Sequence, residues 1–207
     1  MTDITDMIEY EIPFDIPFYS QKVDENNYKA MGFDEPEEGI HWSTRGCGIA
    51  SLRMIIDGIL ASRGEEPSCG QAEMIKRGLA RNAYLLDGDI GWIHSGLAAL
   101  AGEYGIDAEA KRGLSTEELA EEIEAGHPCI VSVTAWFAGG ERWLDGHIFK
   151  KGGHLVPAIG TIRKSGALTD IICHHTASIS QLNWPCHKTP IERFNASFTG
   201  NVIVFRP

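Results

Sequence analysis

Arg45-Gly46-Cys47-Gly48-Ile49-Ala50-Ser51-Leu52-Arg53-Met54-Ile55-Ile56 sets one cysteine between two glycines at the start of a helical pattern. Apolar residues recur at Ile49, Leu52, Ile55, Ile56, Ile59 and Leu60, the i, i+3, i+4, i+7 spacing of a helix with one buried face. Cys47 is therefore predicted at a helix N-terminus, where unpaired backbone N–H groups and the macrodipole favour the thiolate. The flanking glycines are expected to let substrate backbone come close. A thiolate, unlike a thiol, attacks carbonyl carbon. Without partners, the same Gly-Cys-Gly reads as a small residue fitted where a helix meets a loop, so the rest of the chain must decide.

The chain has 207 residues, enough for one well-buried core and short for two independent domains, so one domain is expected over 1–207. Its 18 Lys and Arg stand against 29 Asp and Glu, a formal charge of −11 with no basic cluster, which argues against nucleic acid and anionic membranes as partners. Met1-Thr2-Asp3-Ile4-Thr5-Asp6 lacks the basic and apolar regions of a signal peptide, and no apolar run approaches spanning length. A cytoplasmic location is expected. Cys47, Cys69, Cys129, Cys173 and Cys186 are an odd number in a reducing compartment, so no disulfide framework is expected.

Residues 1–20, with Pro13 and Pro17, read as an extended edge segment leading into Phe18-Tyr19-Ser20-Gln21. Residues 22–46 are polar and acidic without a sustained period and read as a long loop ending near His41-Trp42, in the position of a lid or substrate wall. A second helix is predicted over 69–81 with Met74, Ile75 and Leu79 inward, and a third opening at Gly91-Trp92-Ile93-His94 and ended by Gly105. Ser115-Thr116-Glu117-Glu118 is a capping box that starts a further, solvated helix closing at Gly126. After Pro128 the texture changes. Cys129–Ala135, His154–Ile159, Asp170–Cys173 and Val202–Phe205 are short β-branched runs between Gly-rich turns, read as four antiparallel strands. Helices first and strands second predict an α+β architecture, with a helical lobe at about 40–126 and a sheet lobe at about 127–207.

A cysteine nucleophile needs a base within hydrogen-bond reach, usually a histidine that the fold brings near. Of eight histidines, His154 follows Lys151-Gly152-Gly153 and opens an apolar strand, at a sheet edge where glycines leave room. His41, His94, His127 and His147 read as ordinary surface or loop residues. Four separated motifs then fall in order: Phe18-Tyr19-Ser20-Gln21, Arg45 to Leu52 after a tryptophan, Gly126-His127-Pro128-Cys129-Ile130-Val131-Ser132-Val133, and Gly152-Gly153-His154-Leu155-Val156. Together with Glu192 to Val202, this order resembles the bacteriocin-processing (double-glycine) peptidase-like family of the papain-like cysteine peptidases, over about residue 16 to the C-terminus.

The resemblance implies a papain-like fold, Cys47 as nucleophile, His154 as general base, and Gln21 as the amide that completes an oxyanion hole with the Cys47 N–H. It also implies a peptide or peptide-like substrate and acyl transfer without a cofactor. Hydrolysis is the default outcome, and the same site suits a transpeptidase or cyclase. One position departs from the pattern. Where the family places Asn-Pro or Asp-Pro, this chain reads Cys173-His174-His175-Thr176, so His175 takes the place of the residue that orients the catalytic imidazole. A neutral imidazole can accept the base's other N–H, but it stabilises an imidazolium less than a carboxylate does. Asp170 lies five positions back, roughly 16 Å along a strand, too far for a simple swap. The departure leaves three readings open: a working triad with an unusual third member, a dyad enzyme with narrow substrate choice, or a degenerate relative that only binds peptide. A rival zinc site at Cys173, His174, His175, Cys186 and His187 has suitable ligands but no Cys-x-x-Cys spacing, so no metal is expected. Trp42, Trp92, Trp136, Trp143 and Trp184 read as core or cleft-wall packing.

Overall fold

The periodic run after Cys47 forms the helix Cys47–Ser62 in the computed structural model, which describes residues 6–85, 91–139 and 153–207. In chain order the elements are β1 (Met7–Glu11), α1 (Pro36–Ser43), α2 (Cys47–Ser62), α3 (Gln71–Ala80), β2 (Tyr84–Leu85), β3 (Gly91–Trp92), α4 (His94–Gly102), β4 (Asp107–Lys111), α5 (Thr116–Glu124), β5 (Cys129–Val133), β6 (His154–Lys164), β7 (Ala167–His175), β8 (Trp184–Pro190), α6 (Ile191–Ser197) and β9 (Phe198–Arg206). Short 3-10 turns lie at Ala135–Ala138 and Ser180–Leu182. The fold is α+β, with an antiparallel seven-stranded sheet in the order β4-β9-β5-β6-β7-β8. The long strand β6 pairs with β5 through His154–Ala158 and then with β1 through Gly160–Lys164, so β1 takes over where β5 ends.

The apolar runs that mark the strands are continuous because both faces of the sheet are covered. Ile130, Leu155, Ile203 and Phe205 join the cluster under α2, α3 and α4, whereas their neighbours Val131, Val156, Val202 and Val204 join a second cluster with Leu119, Ala120 and Ile123 of α5 and Phe194 of α6. This alternation is the period of two of a pleated strand. In α2, Ile49, Leu52, Met54, Ile55, Ile56 and Ile59 are all fully buried. Burial of each such side chain stabilises by about 1.5–3 kcal/mol, which anchors the helix that begins at Cys47.

Several expectations need correction. The supposed loop over 22–46 contains α1, whose Pro36 at the N-terminus and first-turn Glu37 and Glu38 are helix-start signals. Only Gly39, Trp42 and Ser43 of its eight residues are buried, which is too little for a visible period. Gly91-Trp92 is a short strand paired antiparallel with Tyr84-Leu85, and the helix starts at His94. Among the described residues the sheet has seven strands, not four. β4 and β8 lie at its edges and β1 is exposed at all five positions, so none shows an apolar run. Its strands come from both sides of residue 126, β1 and β4 preceding it. The capping box forms as read, Glu118 Oε2 accepting the Ser115 N–H at 2.8 Å and Ser115 Oγ accepting the Glu118 N–H at 3.2 Å. Trp136 is 59% exposed and is not core packing. Trp143 and His147 lie outside the described residues. Among the described residues no helix is long and apolar enough to cross a membrane.

Candidate active site

Cys47 is the first residue of α2, after Gly46 at the N-cap, and is partly exposed. One turn on, on the same face, Ser51 Oγ donates to the Leu155 carbonyl at 3.0 Å. The Leu155 backbone N–H in turn hydrogen-bonds the Cys47 sulfur. Both polar groups of one peptide-chain residue thus hold α2 against the start of β6, beside His154. The helix terminus does not leave the thiol acidic. Burial pushes the Cys47 thiol up, and the hydrogen bonds of the Leu155, Gly48 and Cys47 N–H groups oppose the shift without overcoming it.

The flanking glycines serve the protein's own packing instead of a substrate. A Cβ at Gly48 would stand 2.7 Å from the Trp92 ring, whose Nε1 donates to the Arg45 carbonyl at 2.8 Å. A Cβ at Gly46 would stand 2.9 Å from the Trp42 carbonyl oxygen and 3.3 Å from Gln71 Nε2. Both positions are closed to a side chain by what already lies against them.

His154 opens β6, and its Nε2 is buried with no hydrogen-bond partner among the described residues. Burial pushes its pKa down to about 4, against a backbone hydrogen bond with Thr176. His175 ends β7 and is 3% exposed, its ring 5.0 Å from that of His154 at 83°. Phe137 and Trp184 pack against it at 5.2 Å and 4.9 Å. Burial, then the proximity of His154, pushes the His175 pKa down to about 3, against a backbone hydrogen bond with Leu182. The two imidazoles meet edge to face, and no hydrogen bond joins them: His154 Nε2 and His175 Nδ1 are both without a partner. At neutral pH both rings are uncharged.

Gln21 is 4% exposed. Its backbone N–H donates to Thr176 Oγ1 at 2.7 Å and its Nε2 donates to the Ser43 carbonyl at 2.8 Å. Its Cβ lies 3.7 Å from where a Gly46 Cβ would stand. The contacts close a ring: Cys47 to Leu155, His154 to Thr176, Thr176 to Gln21, and Gln21 to Gly46. Remote parts of the chain therefore bring Gln21, Cys47, His154 and His175 into one neighbourhood. Sequence reasoning missed Thr176, which carries no signal, and Gln71. The signal for Gln71 was there, since it shares the helical spacing of Met74 and Ile75 and so puts an amide on an apolar stripe.

The rival metal site loses a ligand to structure. His174 Nε2 donates to the Ile16 carbonyl at 2.9 Å and its Nδ1 accepts the Cys186 N–H at 2.9 Å, so both ring nitrogens are taken. Among the described residues, no group of three His, Cys, Asp or Glu is placed to hold a metal ion.

No family model and no curated protein matches the chain. Solved structures do. A protein of Bacillus anthracis named as a C39-like peptidase is 19% identical, covers 97% of this chain and 98% of its own, and superposes with a TM-score of 0.58. A double-glycine-motif protease from an AMS/PCAT transporter, in complex with its leader peptide, is 20% identical over 78% of this chain and 84% of its own, with a TM-score of 0.45. The peptidase domain of Streptococcus mutans ComA is 18% identical over 79% of this chain and 93% of its own, with a TM-score of 0.44. Motif order and backbone agree: this chain has the fold of the C39-like peptidases, the double-glycine peptidase-like family that its sequence resembles.

Proposed function

We propose that the chain is a single papain-like domain, a helical lobe against a sheet lobe, that transfers the acyl group of a peptide or peptide-like amide through a thioester on Cys47. The observation that supports the reading is the double tie of α2 to Leu155, the residue that follows His154 on β6. With the thiol pushed up and the imidazole pushed down, the resting pair is a neutral thiol and a neutral base. The proton therefore leaves sulfur for His154 as the C–S bond forms and the carbonyl electrons move to oxygen. Gln21 meets that oxyanion. Its amide has two N–H bonds, one given to Ser43 and the other free for the oxyanion beside the Cys47 N–H. The tetrahedral adduct collapses, the C–N bond breaks, and imidazolium returns its proton to the leaving amine. Water then cleaves the thioester to acid and free thiol, and an amine in its place gives a new amide. His175 keeps the His154 ring in place by contact and leaves it uncharged at rest.

Iodoacetamide should alkylate Cys47 faster than Cys69, Cys129, Cys173 and Cys186, and His154→Ala should slow that reaction alone. Equal rates at the five cysteines would sink the proposal. A second reading, a peptide-binding module with a decayed triad, is favoured by the absence of a hydrogen bond between His154 and His175. It requires a sluggish Cys47 and peptide affinity that Cys47→Ala leaves unchanged.

A further inference from the structure

Gln71 is fully buried, and neither its Nε2 nor its Oε1 has a hydrogen-bond partner among the described residues. Burying an amide without a partner costs about 1–3 kcal/mol on mutational scales, and a methionine of nearly the same shape would avoid the cost. The side chain stands at the N-terminus of α3, with Nε2 3.3 Å from where a Gly46 Cβ would be. Gln21, whose Cβ lies against the same glycine, also has one buried atom without a partner, Oε1. The orientation of Gln21 is not in question: the Ser43 carbonyl only accepts, so the atom 2.8 Å from it is the nitrogen and the oxygen faces away. Gln71 Nε2, a buried donor without a partner, and the side chain of Gln21, whose Oε1 is a buried acceptor without a partner, thus border one glycine.

We infer that Gln71 is a positioning residue for the oxyanion hole: in the working enzyme its amide N–H donates to Gln21 Oε1 across Gly46, directly or through one water. With Ser43 accepting on one side and Gln71 donating on the other, the Gln21 amide plane is fixed and its remaining N–H is held toward the carbonyl under attack. The inference rests on the acyl-transfer reading. It explains why a glutamine stands where the apolar stripe of α3 calls for an aliphatic residue.

The test needs no knowledge of the natural substrate. p-Nitrophenyl acetate acylates Cys47 through a tetrahedral oxyanion and releases p-nitrophenolate, whereas iodoacetamide alkylates the same sulfur with no oxyanion at all. Gln71→Met should slow acylation about tenfold, the cost of a misplaced catalytic group, while the alkylation rate stays within twofold and the melting temperature stays level or rises. In a Gln21→Ala background the same substitution should cost nothing further, since the residue acts through Gln21. Gln71→Glu, which keeps the shape but cannot donate when ionised, should slow acylation as pH rises and recover as the acid takes up its proton. Unchanged acylation, or both rates falling together, overturns the inference. Should Gln71→Met not fold, the Gln71→Glu profile decides alone, and a flat profile overturns it. Cys47-dependent acylation indifferent to Gln71 sinks this inference only. Acylation that persists in Cys47→Ala sinks the acyl-transfer reading and this inference with it.

Discussion

His174 and His175 are neighbours on one strand, and the chain treats them in opposite ways. Both ring nitrogens of His174 are engaged, one with Ile16 and one with Cys186, so the ring ties the N-terminal segment and β8 to β7. Asp57 nearby in kind is also fully used, accepting from Tyr19 at 2.9 Å and from the Ser68 N–H at 2.7 Å. Around His175 the accounts stay open. Ten buried side-chain atoms lack a partner among the described residues, and five of them belong to Gln21, Gln71, His154 and His175. The other five are spread singly over Ser68, His94, Thr134, His187 and Thr189, so the orphaned atoms gather at these four residues, a concentration of the kind that marks candidate functional sites.

The contrast can be broken at either residue. The largest effects belong to the open side. Cys47→Ala should abolish acyl transfer to p-nitrophenyl acetate, and His154→Ala should lower it about 10²–10⁴-fold, the usual range for a general base. Gln21→Ala should cost about 10²–10³ in the same assay, with iodoacetamide labelling of Cys47 preserved. On the closed side, His174→Leu strands the Ile16 carbonyl and the Cys186 N–H. It should lower unfolding free energy in urea by about 2–3 kcal/mol and spare the rate of folded enzyme. His175→Phe, set among Phe137 and Trp184, should melt no lower than wild type; a loss equal to that of His174→Leu would erase the distinction.

The pH dependence sharpens the comparison further. Folding holds His154 neutral down to about pH 4 and His175 to about pH 3, while in the unfolded chain both titrate near their ordinary value of 6.5. Between these limits the unfolded state binds more protons, so stability rises with pH there. It is complete above about 6.5 and is lost as pH falls toward 4. His175→Phe should flatten this fall in denaturation midpoints, and a slope unchanged from wild type would contradict the assignment. The smallest effect lies far from the site. Ser115→Ala removes the capping box of α5 and should cost about 1 kcal/mol in the same titration, with no change in acylation.

Much of this was legible in residues whose pattern is local. The period from Ile49 to Leu60 places Cys47, and the β-branched runs after Pro128 locate the central strands, because burial on both faces leaves no polar interruption. What escaped has little burial to write into a pattern: α1, the edge strands and the seven-residue α6. The candidate site could be listed from the sequence residue by residue but not laid out as a geometry. Nothing local says that Leu155 joins α2, that Thr176 joins Gln21 to His154, or that Trp92 and not a ligand lies on Gly48. The expectation of an acidic thiol failed for the same reason, since how deeply Cys47 sits depends on contacts across the fold.

The shared use of Leu155 has an outcome for how the protein should wear out. The helix that begins at Cys47 and the strand that opens at His154 are tied at the interior seam of helix and sheet, within the core itself. Inactivation and global melting should therefore trace one curve, with no warm, folded and idle species between them.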